Sequence, residues 1–180
     1  DQLPSLNTVI DVYIDPHGDR WFSTSEGAVR LRDEEWTPVT PDPPLPHRTV
    51  HQIIRDRDGA LWFATMGGAA RHDPRLVVFE AGDHLPGSAD NLFGTATGDL
   101  WIAHNGPAGV SRLRGDTLTT WTQEDGLPGH VHKVETDRAG RIWLLTDYGA
   151  VRHEGDRLAL LGTDGYPSKK GGRSEGSWRA

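Results

Sequence analysis

The chain contains no cysteine, which excludes disulfides and thiolate metal sites while leaving the compartment open, since cysteine-free chains suit oxidising and reducing spaces alike. It has a single methionine and no apolar run near the roughly 20 residues that a membrane helix requires, so this segment does not insert in a bilayer as a helix. Its Asp-Gln-Leu-Pro opening has neither the charged nor the apolar region of a signal peptide. Basic residues are in deficit: 19 Lys and Arg against 26 Asp and Glu give a net charge of −7. No basic stripe offsets that balance, which argues against nucleic acid as a partner. Only Lys169, Lys170 and Arg173 are locally basic, and they stand among Gly and Ser in a segment read as a solvated tail.

Against these absences, Gly (22), Pro (12) and Trp (7) are abundant. Turn formers with regularly placed aromatics favour short strands and tight turns over helices. The placement is periodic. Leu-Pro recurs at Leu3, Leu45, Leu85 and Leu127, and each copy is followed by Gly-x-x-Trp, ending at Trp21, Trp62, Trp101 and Trp143. A Gly-x-x-Arg follows each Trp, ending at Arg30, Arg71, Arg112 and Arg152. A repeat of about 40 residues in fixed order is the signature of stacked supersecondary units.

Each unit reads as four short strands. The first carries apolar pairs such as Val50 and Ile53, and an Asp-x-x-Gly turn leads to a second strand such as Leu61-Trp-Phe-Ala-Thr65. The third runs from Gly to Arg, and the fourth includes Trp36, Phe79 or Trp121. Four-stranded units of this length predict an all-β chain, a β-propeller with four blades at about 3–42, 43–83, 84–125 and 126–165. Residues 166–180 form a tail or an aborted fifth repeat, because Asp164-Gly-Tyr-Pro167 echoes Asp125-Gly-Leu-Pro128 and the pattern then fails. Each repeated Trp is expected to fill the gap between adjacent blades, and the repeated Arg to lie over a Trp ring or pair with a carboxylate. Four blades either close as a small ring, belong to a larger one, or pair with another copy, since open blade faces favour association.

The stretch Leu45 to Arg71, with its Val-x-x-Ile, Asp-x-x-Gly, Leu-Trp-Phe-x-Thr and Gly-x-x-Arg, resembles the two-component regulator propeller repeat. That resemblance implies a non-catalytic ligand-binding or sensor-input module of a bacterial signalling protein, placed outside the cytoplasm, with no catalytic residue or cofactor to carry over. The Gly-x-x-Trp-Phe pattern is also similar to the streptogramin B lyases. Such a lyase would use a His base, a carboxylate and a divalent cation, for which His104, His130 and Glu26 are the candidates. A third reading is a structural unit that oligomerises through open blade ends.

In a propeller the inter-blade links and the loops between second and third strands share one face, the default binding surface for a small molecule, a glycan or a protein. The third unit departs most from the pattern: His104 replaces the Thr of the other copies, Asn105-Gly-Pro-Ala-Gly109 is longer by two residues, and Thr95 replaces the turn Asp. Departures from a regular scaffold mark places to look for function, so His104 and Asn105 are candidate ligand contacts. His47 and His130 in the links, with Glu26 and Tyr148 in the loops, complete the candidate set. Nine histidines invite a metal reading, but His130-x-His132 is the one close pair, and no metal site is assigned.

Overall fold

The computed structural model describes residues 8–73, 75–155, 157–161 and 177–179. Four antiparallel sheets follow one another along the chain. The first holds β1 (Val9–Ile14), β2 (Arg20–Thr24), β3 (Gly27–Arg32) and β4 (Glu35–Pro38). The second holds β5 (Val50–Arg55), β6 (Leu61–Thr65), β7 (Gly68–Asp73) and β8 (Arg75–Glu80). The third holds β9 (Ala89–Gly94), β10 (Leu100–His104), β11 (Val110–Arg114) and β12 (Thr117–Trp121). The fourth holds β13 (Val131–Thr136), β14 (Ile142–Thr146), β15 (Gly149–Glu154) and β16 (Arg157–Leu161). Within each sheet, strands pair in sequence order, giving four meander blades of a β-propeller. Leu3, the first of the repeated Leu-Pro leucines, and most of the 166–180 tail lie outside the described residues. Within that tail β17 (Ser177–Arg179) pairs with β16 as a fifth strand.

One carboxylate organises each Asp-x-x-Gly turn. Asp56 Oδ1 accepts the backbone N–H groups of Asp58 (3.0 Å) and Ala60 (2.9 Å), and its Oδ2 accepts the indole N–H of Trp62 at 2.9 Å. Asp15 and Asp137 repeat this, holding Trp21 at 3.4 Å and Trp143 at 3.0 Å. The same Asp therefore closes the hairpin and fixes the ring that seals the blade. At the other hairpin, Thr65 Oγ1 donates to the Gly68 carbonyl at 2.8 Å. Gly68 has φ 124°, and a Cβ there would meet Phe79 O at 2.0 Å, so no side chain fits.

The core lies between sheets. Trp21 and Ala28 pack with Val50, Ile53 and Phe63 of the next sheet. Trp62 and Ala64 pack with Leu92 and Ile102, and Trp101 and Val110 with Val134 and Leu144. Trp143 departs from its expected place. It is only half-buried, because no described sheet follows its own. Among the repeated arginines, Arg30, Arg112 and Arg152 lie 5.7, 5.7 and 5.9 Å from the ring centroids of Trp21, Trp101 and Trp143. Arg71 instead reaches Asp73 at 3.1 Å and Asp56 at 3.6 Å.

Candidate functional site at the channel mouth

Every first strand carries a β-bulge at one place. Pairing between β5 and β6 skips from Val50 to Gln52, leaving His51 as the extra residue. The same break leaves Ile10 in β1, Asp90 in β9 and His132 in β13. A bulge re-aims a side chain out of the regular alternation, and these lie at the end of the sheets where the links and second-to-third-strand loops gather. The innermost strands of the last three blades also line a cavity of about 360 Å³, with Gln52, Ile54, Asn91, Phe93, Lys133 and Glu135 in its wall.

The bulge residues are paired rather than isolated. His51 Nδ1 lies 3.2 Å from Asp90 Oδ1 and 3.0 Å from the Ala89 carbonyl, joining the second blade to the third. The hydrogen bond to Asp90 raises the His51 pKa above 6.5. In the fourth blade, His132 Nε2 lies 2.6 Å from Asp147 Oδ1, while Asp147 Oδ2 accepts the backbone N–H of His130 at 2.9 Å. That backbone N–H, and then His132, hold the Asp147 carboxyl below its ordinary value. The His130 and His132 rings meet edge to face at 4.7 Å, and His130 Nδ1 reaches the Gly106 carbonyl at 3.4 Å.

The sequence-derived candidates divide into three groups. Asn105 (exposed), His130 and Tyr148 belong to one neighbourhood at the junction of blades three and four, since His130 touches Gly106 beside Asn105 and the link residue Gly129 abuts Tyr148. Glu26 and His47 belong to the junction of blades one and two. There Glu26 Oε2 accepts from Arg48 at 3.3 Å, and His47 Nδ1 accepts the Thr49 N–H at 3.0 Å.

His104 requires a correction. It is 0 % exposed, neither a solvated loop residue nor a group offered to a ligand. Its Nδ1 lies 3.1 Å from the Ser88 carbonyl and its Nε2 lies 2.7 Å from Ser111 Oγ, so both ring nitrogens are engaged inside the blade. Burial pushes its pKa down. The longer loop that follows holds a 3-10 turn at Gly106–Ala108. Asp90, Asp147 and the pairing of His51 and His132 are the residues that sequence reasoning missed; the matching places of the two histidines on the first strand were the available signal.

Among the described residues, no group of three His, Asp or Glu is arranged to hold a metal ion. The mouth offers imidazoles oriented by carboxylates, with amides and aromatic edges below them. It is suited to hydrogen-bonding recognition of a polar ligand.

Residues 44–67 match the two component regulator propeller. No curated protein matches the chain. The repeat is therefore recognised through its second blade, the one that combines Val50-x-x-Ile53 with an unbroken Leu61-Trp-Phe-Ala-Thr65. Among solved structures, the chain is similar to the extracellular domains of hybrid two component systems from B. thetaiotaomicron. One is 21% identical with a TM-score of 0.68, over 84% of this chain and 23% of that one. A second is 20% identical with a TM-score of 0.69, over 88% and 25%. The chain is also similar to virginiamycin B lyase from Staphylococcus aureus, at 15% identity and a TM-score of 0.63, over 91% of this chain and 55% of the lyase. It thus spans about a quarter of the length of those extracellular domains. These likenesses establish the propeller fold. Among the described residues, no helix is long and apolar enough to cross a membrane.

Proposed function

We propose that the chain is the ligand-recognition module of a bacterial signalling protein, working outside the cytoplasm without catalysis, with its ligand seated at the bulged mouth of the channel. The observation that carries this reading is the bulge in every first strand, which delivers His51, Asp90 and His132 to the loop end of a rigid scaffold. A bulge is a costly interruption of pairing, and its recurrence beside paired titratable groups fits a recognition surface better than a packing device. Similarity to the extracellular domains of two component systems supports both the sensor role and the compartment. The ligand would be a small molecule, a glycan or a protein that accepts and donates hydrogen bonds at this rim.

A lyase reading keeps one point in its favour: His132 oriented by Asp147 is a base-and-carboxylate pair. It lacks a described ligand set for the cation that such chemistry would use.

Thermal-shift screening of the chain against neutral and acidic sugars, amino acids and short peptides tests the proposal, with Asp147→Asn/His132→Gln as the paired variant. A ligand that stabilises the wild type and not the variant, with no turnover, supports it. Stabilisation equal in both would place recognition elsewhere, and chemical conversion of the ligand would favour the lyase.

A further inference from the structure

Asn105 is the one asparagine of the chain that precedes a glycine, since Asn7 precedes Thr8 and Asn91 precedes Leu92. That dipeptide carries a chemistry of its own. The backbone nitrogen of the following residue can attack the side-chain amide carbon, and glycine opposes the approach least because it has no Cβ. Aspartate followed by glycine reacts through the same cyclic imide. The chain has that pair at Asp58-Gly59, Asp125-Gly126 and Asp164-Gly165, the last outside the described residues. The sequence therefore offers several sites of one kind, and the fold separates them.

The attacking nitrogen is held at two of these places and not at the third. Gly59 N–H donates to the Asp56 carbonyl at 3.1 Å, and Gly126 N–H donates to the Gln123 carbonyl at 3.1 Å, so each is tied into a closed turn. Gly106 opens the 3-10 turn Gly106–Ala108, where a first N–H has no acceptor inside the turn. Among the described residues it has none outside the turn either. The side chain is equally unheld. Asn105 stands at the cap position, yet its side chain makes no capping hydrogen bond. Pro107, second in the turn, has no N–H to offer it. Asn105 is exposed to water, whereas Asn91 lies partly buried within β9. Asn105 is extended, at φ −64° and ψ 138°, so a flip of the peptide plane between 105 and 106 brings nitrogen and carbon together. Gly106, at φ 61°, absorbs that flip because both signs of φ are open to it.

We propose that Asn105-Gly106 is a deamidation site on the rim of the channel mouth. Gly106 N bonds to Asn105 Cγ, the Cγ–Nδ2 bond breaks, and the side-chain NH2 leaves as ammonia with the proton from Gly106 N–H. Water then opens the cyclic imide. Opening at the side-chain carbonyl gives aspartate, and opening at the backbone carbonyl gives isoaspartate, whose main chain runs through the former side chain. Either product adds one negative charge to the −7 of the chain. The charge arrives at the junction of blades three and four, beside the residue whose carbonyl lies 3.4 Å from His130 Nδ1. Isoaspartate also lengthens the backbone just before that residue. The rim thus grows more acidic as the protein ages. An effect on recognition rests on the proposed role of the mouth, whereas the modification itself does not.

Ageing the 180-residue chain in mildly alkaline buffer, followed by tandem mass spectrometry, reads the outcome. Trypsin releases residues 76–112 as one peptide that holds both Asn91 and Asn105. A gain of one mass unit at Asn105 is expected, as a mixture of aspartate and isoaspartate. Short synthetic peptides spanning each site give the rate of the unfolded sequence, and dividing by it cancels sequence effects. For Asn105 the folded chain should react about as fast as its peptide. For Asn91, Asp58 and Asp125 the folded chain should react slower than its peptide by roughly tenfold or more, the factor that about 1.4 kcal/mol of added barrier gives. Asn105→Gln, which would need a slower six-membered ring, should lose the mass shift while keeping the wild-type circular dichroism. A folded chain that protects Asn105 as strongly as Asn91, Asp58 and Asp125 would overturn the proposal. So would equal reaction at all four places, because unfolded molecules would then be carrying the chemistry.

Discussion

The indole N–H of Trp62 donates to Asp56 at 2.9 Å, whereas its counterpart Trp101, one blade on, has Thr95 in place of the carboxylate and a buried Nε1 with no partner. Thr95 keeps half of the Asp role. Its Oγ1 accepts the Asp99 N–H at 3.0 Å and so still closes the turn. The tryptophan half is lost.

Thr95→Asp is therefore expected to stabilise the protein, by about 1 kcal/mol, through one recovered hydrogen bond to a buried donor. The new carboxylate would sit near Asp99, but the first blade already tolerates that pair: Asp15 and Asp19 coexist there, with Arg32 bonded to Asp19 at 2.6 Å through its Nε. The third blade has Arg114 in the same role, its Nε 2.9 Å from Asp99. Urea unfolding of the two proteins measures the difference, and an unchanged or lower midpoint would show that Trp101 does not turn its Nε1 to that turn.

Truncating the repeated tryptophans separates internal junctions from the open end. Trp62→Ala removes a ring that is 3 % exposed and sits in the core between two sheets, and should cost about 3–5 kcal/mol. Trp143→Ala removes a half-buried ring that no described sheet covers, so its cost to the folding of the single chain is expected to be smaller. Chemical denaturation at low protein concentration, where association does not contribute, tests the ranking.

The blades were legible because each needs the same few side chains at fixed spacing. The Asp-x-x-Gly turn, the Trp and the close-approach glycines are dictated by local geometry and therefore repeat. The site was less legible for a physical reason. A bulge is a shift in backbone pairing, invisible in the side-chain alternation, so Asp90 and His51 read as ordinary first-strand residues. His104 misled in the opposite direction: a longer loop suggested a surface, yet the imidazole is buried between the Ser88 carbonyl at 3.1 Å and Ser111 Oγ at 2.7 Å. Trp143 misled because a repeat says what a side chain is built to meet, whereas its burial depends on whether the next sheet is there.

Burial of His104 sets its mutational signature. His104→Ala leaves a cavity and strands the Ser88 carbonyl, which together should cost about 2–3 kcal/mol, while Ser111 Oγ keeps Thr120 Oγ1 at 2.7 Å. Ligand binding by the folded fraction should be unchanged, because the ring does not reach the surface. Its folded pKa is lowered, so the neutral imidazole is preferred in the native state, and the stability it provides is complete above pH 6.5 and erodes as pH falls below that value. Binding assays with thermal unfolding at matched pH distinguish this from a contact role, which would abolish binding while sparing the melting temperature.

Acid sensitivity should centre on the buried carboxylates. Arg114 is the leading cause of the lowered pKa of Asp99, outweighing the desolvation that opposes it. Asp15 is also lowered: burial raises its pKa, but the N–H groups of His17, Trp21 and Asp19 and the guanidinium of Arg55 together prevail. A group whose folded pKa is depressed contributes stability that is present above its unfolded value, near 3.8 for these aspartates, and lost as pH falls through the folded value. Unfolding free energy should thus hold level from neutrality to about pH 5 with respect to these groups, then drop as pH falls through 3.8 towards the lower folded values. Arg114→Ala returns Asp99 towards 3.8, so the variant should be less stable at pH 7 and show a shallower acid dependence, with the two curves converging once pH has fallen below the folded value of Asp99. Urea titrations at half-unit pH intervals resolve this. Parallel curves would mean that Arg114 acts by packing and not through the Asp99 charge.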